Sequence, residues 1–245
     1  MHPQTIIATA LVMLLPVWVH AQAPAAPAPP PRQEATAELA FVGTTGNAST
    51  ETLGLGGDVT YRPGPWTFTT KARYVRNQAA SDLKAESFDL SFDAAHALSP
   101  RLSTFGRYGY LHDRFAGIEQ RHTLEGGVAY LLVDAAPHKL AVDGALGYAH
   151  EDPVLGSARS NGIVTTGARY TLKISDTAEF NDDTRLVFSV ADGQDWRVTS
   201  VAGVTAKLTT RVSLKCSNTV RFVNEPVLGF ERTDTITAVA LVAKF

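Results

Sequence analysis

Apolar and polar residues alternate along this chain with a period of two, from about residue 36 to the C-terminus. In residues 211–222, every second side chain except Asn218 is apolar, and the side chains between them are Arg, Ser, Lys or Thr. Successive side chains of a β-strand point to opposite sides, so this period is typical of strands with one apolar and one polar face. The pattern predicts an all-β protein.

Carried through the chain, the alternation predicts twelve strands joined by connections that are alternately short and long. Every proline after residue 35 falls in a connection or at its edge, as expected for a residue that cannot donate to a central ladder. The predicted strands are residues 36–43, 51–62, 66–77, 84–97, 102–114, 121–133, 138–151, 160–173, 177–190, 196–208, 211–223 and 233–245.

Three features favour a barrel in lipid over a soluble sandwich. Most predicted strands have the length that a tilted strand needs to cross a bilayer, whereas ordinary strands are about half as long. The strand number is even, and short turns alternate with long loops. Aromatic side chains on the apolar face gather near both strand ends, for example Trp66 and Trp196, as in interfacial girdles. The prediction is a transmembrane antiparallel up-and-down β-barrel with both termini periplasmic.

Two polar residues fit this register badly, because Asp182 and Asn218 fall on the apolar face. A charge in the middle of a lipid-facing strand costs something like 2–4 kcal/mol. We therefore expect a bulge or a shift of register at Asp182 rather than a carboxylate exposed to lipid.

The first 35 residues differ from the rest. Residues 6–19 are almost wholly apolar and are followed by small residues around Ala21, which predicts a cleaved signal peptide over residues 1–21. A signal anchor that stays in place is the alternative. The Ala/Pro-rich segment that follows predicts a disordered linker over residues 22–35, and the barrel is expected over 36–245. A cleaved signal peptide together with a transmembrane β-barrel predicts that the protein lies in the cell outer membrane.

Composition excludes several function classes. The chain has 22 basic and 24 acidic residues, for a net charge of −2, and this lacks the basic excess that nucleic-acid binding requires. Cys216 is the only cysteine, so neither an intrachain disulfide nor a multi-cysteine metal site is expected. We expect no catalytic residues, no metal and no cofactor.

The stretch from Phe105 to Ile118 contains the run Asp-Arg-Phe-Ala-Gly at residues 113–117. This run resembles the salt-induced outer-membrane protein family, a domain of unknown function in Gram-negative bacteria. The segments 45–47, 175–178 and 234–245 also resemble it, so the similarity covers residues 36–245. The resemblance implies an outer-membrane β-barrel, sometimes linked to salt stress, and brings no substrate or catalytic residues.

The polar face would line the lumen, where neighbouring strands can form ion-pair ladders or a path for solutes. Asp89 and Asp93 are expected across the lumen from cations of strands 10 and 11, which would give a transverse field. Ion selectivity is then expected to shift in Arg197→Glu or Lys215→Glu. The lumen-lining candidates are Lys71, Arg73, Asp89, Asp93, Arg107, Arg197, Lys215 and Arg221.

An enzyme at the lipid interface would need a serine beside a histidine on the outside. His112, His122 and His150 fall on the apolar face near the long loops, and no outward serine of the predicted strands falls beside them. They are therefore interpreted as girdle histidines, and the chain is not expected to be an enzyme.

The predicted function is a small-solute or ion pore, or an envelope protein that supports tolerance to salt or osmotic stress. A structural or adhesive surface barrel without transport is the alternative, and an interfacial outer-membrane enzyme is the third hypothesis. Phe245 ends the last strand and is predicted to be an assembly signal for the barrel-assembly machinery. The other expected partners are outer-membrane lipid and small solutes or ions.

Overall fold

A computed structural model describes residues 31–45, 50–79 and 82–245, which form a single sheet of twelve strands. The predicted signal peptide, most of the predicted linker and the loop at 46–49 lie outside the described residues. The strands are β1 (Gln33–Thr45), β2 (Thr50–Tyr61), β3 (Trp66–Ala79), β4 (Asp82–Ala97), β5 (Leu102–Asp113), β6 (Ile118–Ala135), β7 (His138–Pro153), β8 (Arg159–Lys173), β9 (Ala178–Ser189), β10 (Trp196–Lys207), β11 (Val212–Val223) and β12 (Thr233–Lys244). One 3₁₀ turn, Arg114–Ala116, follows β5.

The sheet closes on itself, because each strand pairs antiparallel with its neighbour in sequence and β1 pairs with β12. Leu39 lies opposite Leu241 in this last ladder. At its end the backbone N–H of Phe245 donates to the carbonyl of Ala35 at 2.9 Å. The predicted fold, a twelve-stranded antiparallel up-and-down barrel, is confirmed. β1 and β6 each begin three residues earlier than predicted.

The two faces of the sheet reverse the arrangement of a soluble protein. Large apolar side chains such as Leu55, Leu124 and Leu146 are more than half exposed on the outside, whereas Glu125 and Glu151 are buried inside. An apolar outer band around a polar interior is the arrangement that lipid requires of a β-barrel. No helix among the described residues has the length and apolar character needed to cross a membrane.

Aromatic rings mark both ends of the outer face. At the short-turn end, the Trp66 ring stacks on Phe68 with centroids 5.8 Å apart. At the long-loop end, the ring centroids of Trp196 and Phe222 lie 5.0 Å apart, and those of Tyr110 and His122 lie 5.1 Å apart. Such rings combine an apolar body with a polar edge, which suits the boundary between hydrocarbon and headgroups.

The bulge expected at Asp182 is absent, and that prediction was wrong. β9 pairs with β8 and with β10 without a shift of register through this position, so the carboxylate faces outward. The hydroxyl of Thr184 donates to one of its oxygens at 2.9 Å, and that of Ser200 donates to the other at 3.1 Å. Asn218 likewise donates to the hydroxyl of Thr237 at 2.9 Å. Local hydroxyl partners reduce the cost of these polar groups, so the ladder stays regular.

Candidate functional site in the lumen

Two adjoining cavities occupy the lumen, with volumes of about 500 Å³ and about 270 Å³. The larger cavity is lined mainly by β3 to β6 and by β9 to β11, and the smaller one by β1 to β4 and β10 to β12. Both are bordered by Arg73, Asp89 and Arg221. Gly54 and Ala240 are among the small wall residues that leave this space.

All eight lumen-lining candidates face inward, and each borders at least one of the two cavities. Lys215 borders the smaller cavity alone, and Arg73, Asp89 and Arg221 border both. The remaining four border the larger cavity: Lys71, Asp93, Arg107 and Arg197. The structure therefore brings the predicted residues together around one continuous interior.

A first ion-pair cluster lies midway along the lumen around the buried carboxylate of Glu125. Arg185 contacts Glu125 directly, and Arg107 Nη1 lies 3.6 Å away. Arg107 also contacts Asp93. The hydroxyl of Thr165 donates to Glu125 at 3.4 Å. A carboxylate removed from water needs such donors, because a buried charge without partners is strongly destabilising.

A second cluster lies nearer the long loops, where three arginines surround Glu151. Arg159 Nη2 lies 2.6 Å from its carboxylate, Arg197 Nη1 lies 2.7 Å away and Arg121 Nε lies 3.6 Å away. Asp195 pairs with Arg197 at 3.4 Å and adds a second negative charge. The cluster links β6, β7, β8 and β10, so it holds one side of the barrel together near the mouth.

One ion pair spans the lumen instead of following its wall. Arg221 on β11 contacts Asp113 on β5, and these strands are six positions apart in a ring of twelve. Lys215 on β11 pairs with Glu38 on β1 at 2.9 Å, and this pair follows the wall, because only β12 lies between the two strands. The transverse field expected from the sequence is therefore largely replaced by close pairs.

Lys71, Arg73 and Asp89 differ from these paired groups. Arg73 and Asp89 lie directly opposite each other in the β3–β4 ladder, yet no ion pair within 4 Å joins any of the three to another described residue. Lys71 and Arg73 are exposed to the open lumen. These two cations are therefore free to interact with a solute or ion in the cavity.

The loop between β11 and β12 (residues 224–232) narrows the long-loop mouth. Gly117, which follows the 3₁₀ turn near the opposite wall, has φ of +72°. A Cβ at this glycine would lie 2.9–3.1 Å from the ring of Phe230, so the ring packs against bare backbone. Pro226 and Val227 share a small cavity with Glu151 beneath them. The loop therefore reaches across the mouth above the Glu151 cluster.

Sequence reasoning missed some charged residues and one outward contact. Glu151 lies an even number of residues after Asp143 on β7, so alternation could have predicted that its side chain also points inward. Arg159 and Asp195 fall in or beside predicted loops, where alternation gives no direction. The expectation that no outward serine lies beside the girdle histidines was wrong, because Ser160 lies directly opposite His150 in the β7–β8 ladder.

The other two girdle histidines are held by neighbouring groups. His122 Nδ1 lies 2.8 Å from the hydroxyl of Tyr108, and His112 contacts the carbonyl oxygen of Glu119. Within the described ranges, no group of three or more His, Cys, Asp or Glu side chains is arranged to hold a metal ion.

Residues 37–245 match the model of DUF481, a protein family of unknown function. The chain belongs to this family. This confirms the resemblance to a domain of unknown function that the Asp-Arg-Phe-Ala-Gly run indicated. No curated protein matches the sequence.

Solved structures similar to this DUF481 barrel are outer-membrane proteins. The NanC porin is 8% identical with a TM-score of 0.59, covering 85% of this chain and 100% of that one. The translocator domain of the autotransporter NalP from Neisseria meningitidis is 14% identical with a TM-score of 0.53, covering 89% and 90%. A bacterial polysaccharide outer membrane secretin is 8% identical with a TM-score of 0.51, covering 87% and 98%. At these identities the likeness shows the fold alone, which is that of an outer-membrane barrel.

Proposed function

We propose that this DUF481 barrel is a channel that lets small solutes or ions, anions in preference, cross the outer membrane. The observation that carries the proposal is the adjoining pair of cavities, about 500 Å³ and about 270 Å³, inside a closed barrel. Twelve strands lie between the filled eight-stranded barrel and the open porin of sixteen or more strands. The similarity in fold to a porin supports the same function.

The preference for anions follows from the charges that border the larger cavity. Eight basic and six acidic side chains line it among the described residues. Most of these charges are paired, whereas Lys71, Arg73, Asp89 and Asp183 face the cavity without an ion-pair partner among the described residues. The excess of two basic side chains in the lining therefore carries the preference, because a positive excess in a narrow polar passage raises the local concentration of anions.

Selectivity of the refolded protein in planar bilayers tests the proposal. Lys71→Glu and Arg73→Glu are expected to shift the reversal potential in a salt gradient towards cation selectivity. These variants suit the test better than Arg197→Glu, which would place a carboxylate beside Glu151 and disturb a buried cluster. Arg211→Glu, exposed in the β10–β11 turn and bordering neither cavity, is the matched control and should leave the reversal potential nearly unchanged.

One outcome would contradict the channel, and another would contradict the role of the two cations. Wild-type protein that folds but shows no conductance would favour a structural or adhesive surface barrel. Conductance with the same selectivity in Lys71→Glu, Arg73→Glu and wild type would remove the role of these two cations.

We further propose that the protein is exported by a signal peptide cleaved after Ala21, with residues 22–35 as a linker. The support is the apolar run, the small residues around Ala21 and the Ala/Pro-rich composition that follows. The mass of the protein purified from outer membranes would show whether it begins at Gln22. A link to salt or osmotic stress rests on the family resemblance alone, and growth of a deletion strain in raised NaCl would test it.

A further inference from the structure

A row of polar side chains lies on the outer wall at the long-loop end of β6, β7 and β8. Ser160 lies directly opposite His150 in the β7–β8 ladder, and its Oγ is 2.7 Å from Nδ1 of the histidine. The other ring nitrogen, Nε2, lies 3.5 Å from Oδ1 of Asp152. Gln120 donates from Nε2 to Oδ2 of Asp152 at 2.5 Å. A hydroxyl, an imidazole and a carboxylate thus follow one another, and an amide orients the carboxylate.

These contacts are compatible with the proton positions that nucleophilic catalysis needs. When the Asp152 carboxylate accepts from Nε2–H, Nδ1 of His150 carries a lone pair towards Ser160. The imidazole can then take the hydroxyl proton as the oxygen attacks, which is the arrangement that activates a serine. The 3.5 Å separation is long for a hydrogen bond, and such contacts often tighten only when substrate is bound.

We propose that Ser160, His150 and Asp152 form a serine esterase site on the outer wall, acting on an ester-linked acyl chain of a membrane lipid. The site is separate from the lumen, because all three side chains face outward. It goes beyond the proposed channel and does not depend on it.

The position of the row fits a lipid ester. Tyr148 precedes His150 on the same face and is 54% exposed, and Tyr108 and Tyr110 belong to the same aromatic rim. Girdle aromatics lie where headgroups meet hydrocarbon, and the ester bonds of acyl lipids lie at this boundary. A lipid beside the wall therefore presents its ester carbonyl to Ser160 without leaving the membrane.

The reaction is a two-step acyl transfer with water as the co-reactant. Ser160 Oγ forms a bond to the ester carbonyl carbon and gives its proton to His150. The carbon–oxygen bond to the lipid alcohol then breaks, and the alcohol leaves with that proton. Water next attacks the acyl-serine ester and gives a proton to His150, which returns it to Ser160 as the fatty acid departs.

His122 is placed to stabilise the oxyanion of this reaction. It lies directly opposite His150 in the β6–β7 ladder, where side chains of neighbouring strands are close together. When Nδ1 of His122 accepts from the Tyr108 hydroxyl at 2.8 Å, Nε2 carries the proton and can donate to a developing negative oxygen.

A fluorophosphonate reagent and phosphatidylethanolamine vesicles test the site in the refolded full chain. The reagent should label Ser160, identified by peptide mass spectrometry, and the protein should release fatty acid from the vesicles. Ser160→Ala should abolish both signals. His150→Ala should lower fatty acid release by about 100-fold or more. Asp152 acts as a positioning residue, so Asp152→Asn should lower kcat by at least about 10-fold with little change in KM.

The chain offers matched controls for the serine and the histidine. Ser200 is also outward and bonded to a carboxylate, Asp182, but no histidine contacts it among the described residues. His138 is outward and bonded to the hydroxyl of Tyr170 at 2.7 Å. Ser200→Ala and His138→Ala should keep full activity.

Folding is checked by heat-modifiable mobility in gels, and channel function by conductance, which Ser160→Ala should leave unchanged. Folded wild-type protein that releases no more fatty acid than folded Ser160→Ala would overturn the esterase. Labelling of another serine in place of Ser160 would do the same.

Discussion

Gly147 and Gly144 lie three residues apart on β7 and face opposite sides of the wall. A Cβ at Gly147 would lie 2.5 Å from the carbonyl oxygen of Leu124 and 2.8 Å from Cγ of Glu125, whereas a Cβ at Gly144 would meet nothing within 4 Å. The inner glycine therefore makes room for the buried Glu125 cluster.

We expect Gly147→Ala to lower the free energy of unfolding by about 1–3 kcal/mol, because the added methyl overpacks the inner wall against backbone. Gly144→Ala should change it little, or raise it slightly by restricting the unfolded chain. Urea unfolding of the refolded barrel in detergent micelles measures both. Equal free energies of unfolding for the two variants would show that the inner wall can accommodate the added methyl group.

The direction of single side chains was predictable wherever a strand is regular. Alternation alone predicted that the eight lumen-lining candidates lie on the inner face, because the side chains of a β-strand point to one of only two sides. The pair of His150 with Ser160 was not predictable, since it depends on which residue of β8 lies opposite β7. The prediction for Asp182 was wrong because the carboxylate has two hydroxyl partners, Thr184 two residues along β9 and Ser200 on β10.

The strands and the loops were predictable to different degrees for one physical reason. Each strand has an apolar outer face and a polar face towards the lumen, and this appears in the sequence as alternation. The loop at 224–232 has no such constraint. Its position depends on Phe230 packing on the bare backbone of Gly117, a contact between segments more than 100 residues apart.

We expect removal of that contact to widen the mouth. Phe230→Ala should raise the single-channel conductance or the open fraction, because the β11–β12 loop loses its attachment to the β5–β6 connection. Leu228→Ala is the control, as this side chain is 89% exposed in the same loop. Unchanged conductance in Phe230→Ala, measured in planar bilayers beside wild type, would mean that the loop does not limit passage.

Across the whole molecule, ion pairs take the place that an apolar core has in a soluble protein. Arg221 with Asp113 and Lys215 with Glu38 join strands that are not neighbours, and the first of these pairs crosses the interior while the apolar residues face outward. The sequence predicted a polar interior with ion-pair ladders. It could not predict pairs across the lumen, because these depend on the diameter and cross-section of the closed barrel.

Phe245 can have two roles, one in closing the barrel through its backbone and one in assembly through its ring. Its backbone pairs with Ala35 at the β1–β12 seam, but its side chain is 79% exposed. Phe245→Ala keeps the backbone contacts, so we expect the refolded barrel to unfold at nearly the same urea concentration as wild type.

If the barrel-assembly machinery recognises the ring of Phe245, Phe245→Ala should sharply lower the amount of folded protein in outer membranes. Heat-modifiable mobility and immunoblotting measure this amount. Lys244→Ala is the control, because it removes a contact with Glu34 at the same seam and leaves the terminal ring in place. A normal outer-membrane level of Phe245→Ala would show that the ring is dispensable for assembly. A lower level with equal loss of stability in urea would instead assign Phe245 a structural role at the seam, because assembly and folding would then fail together.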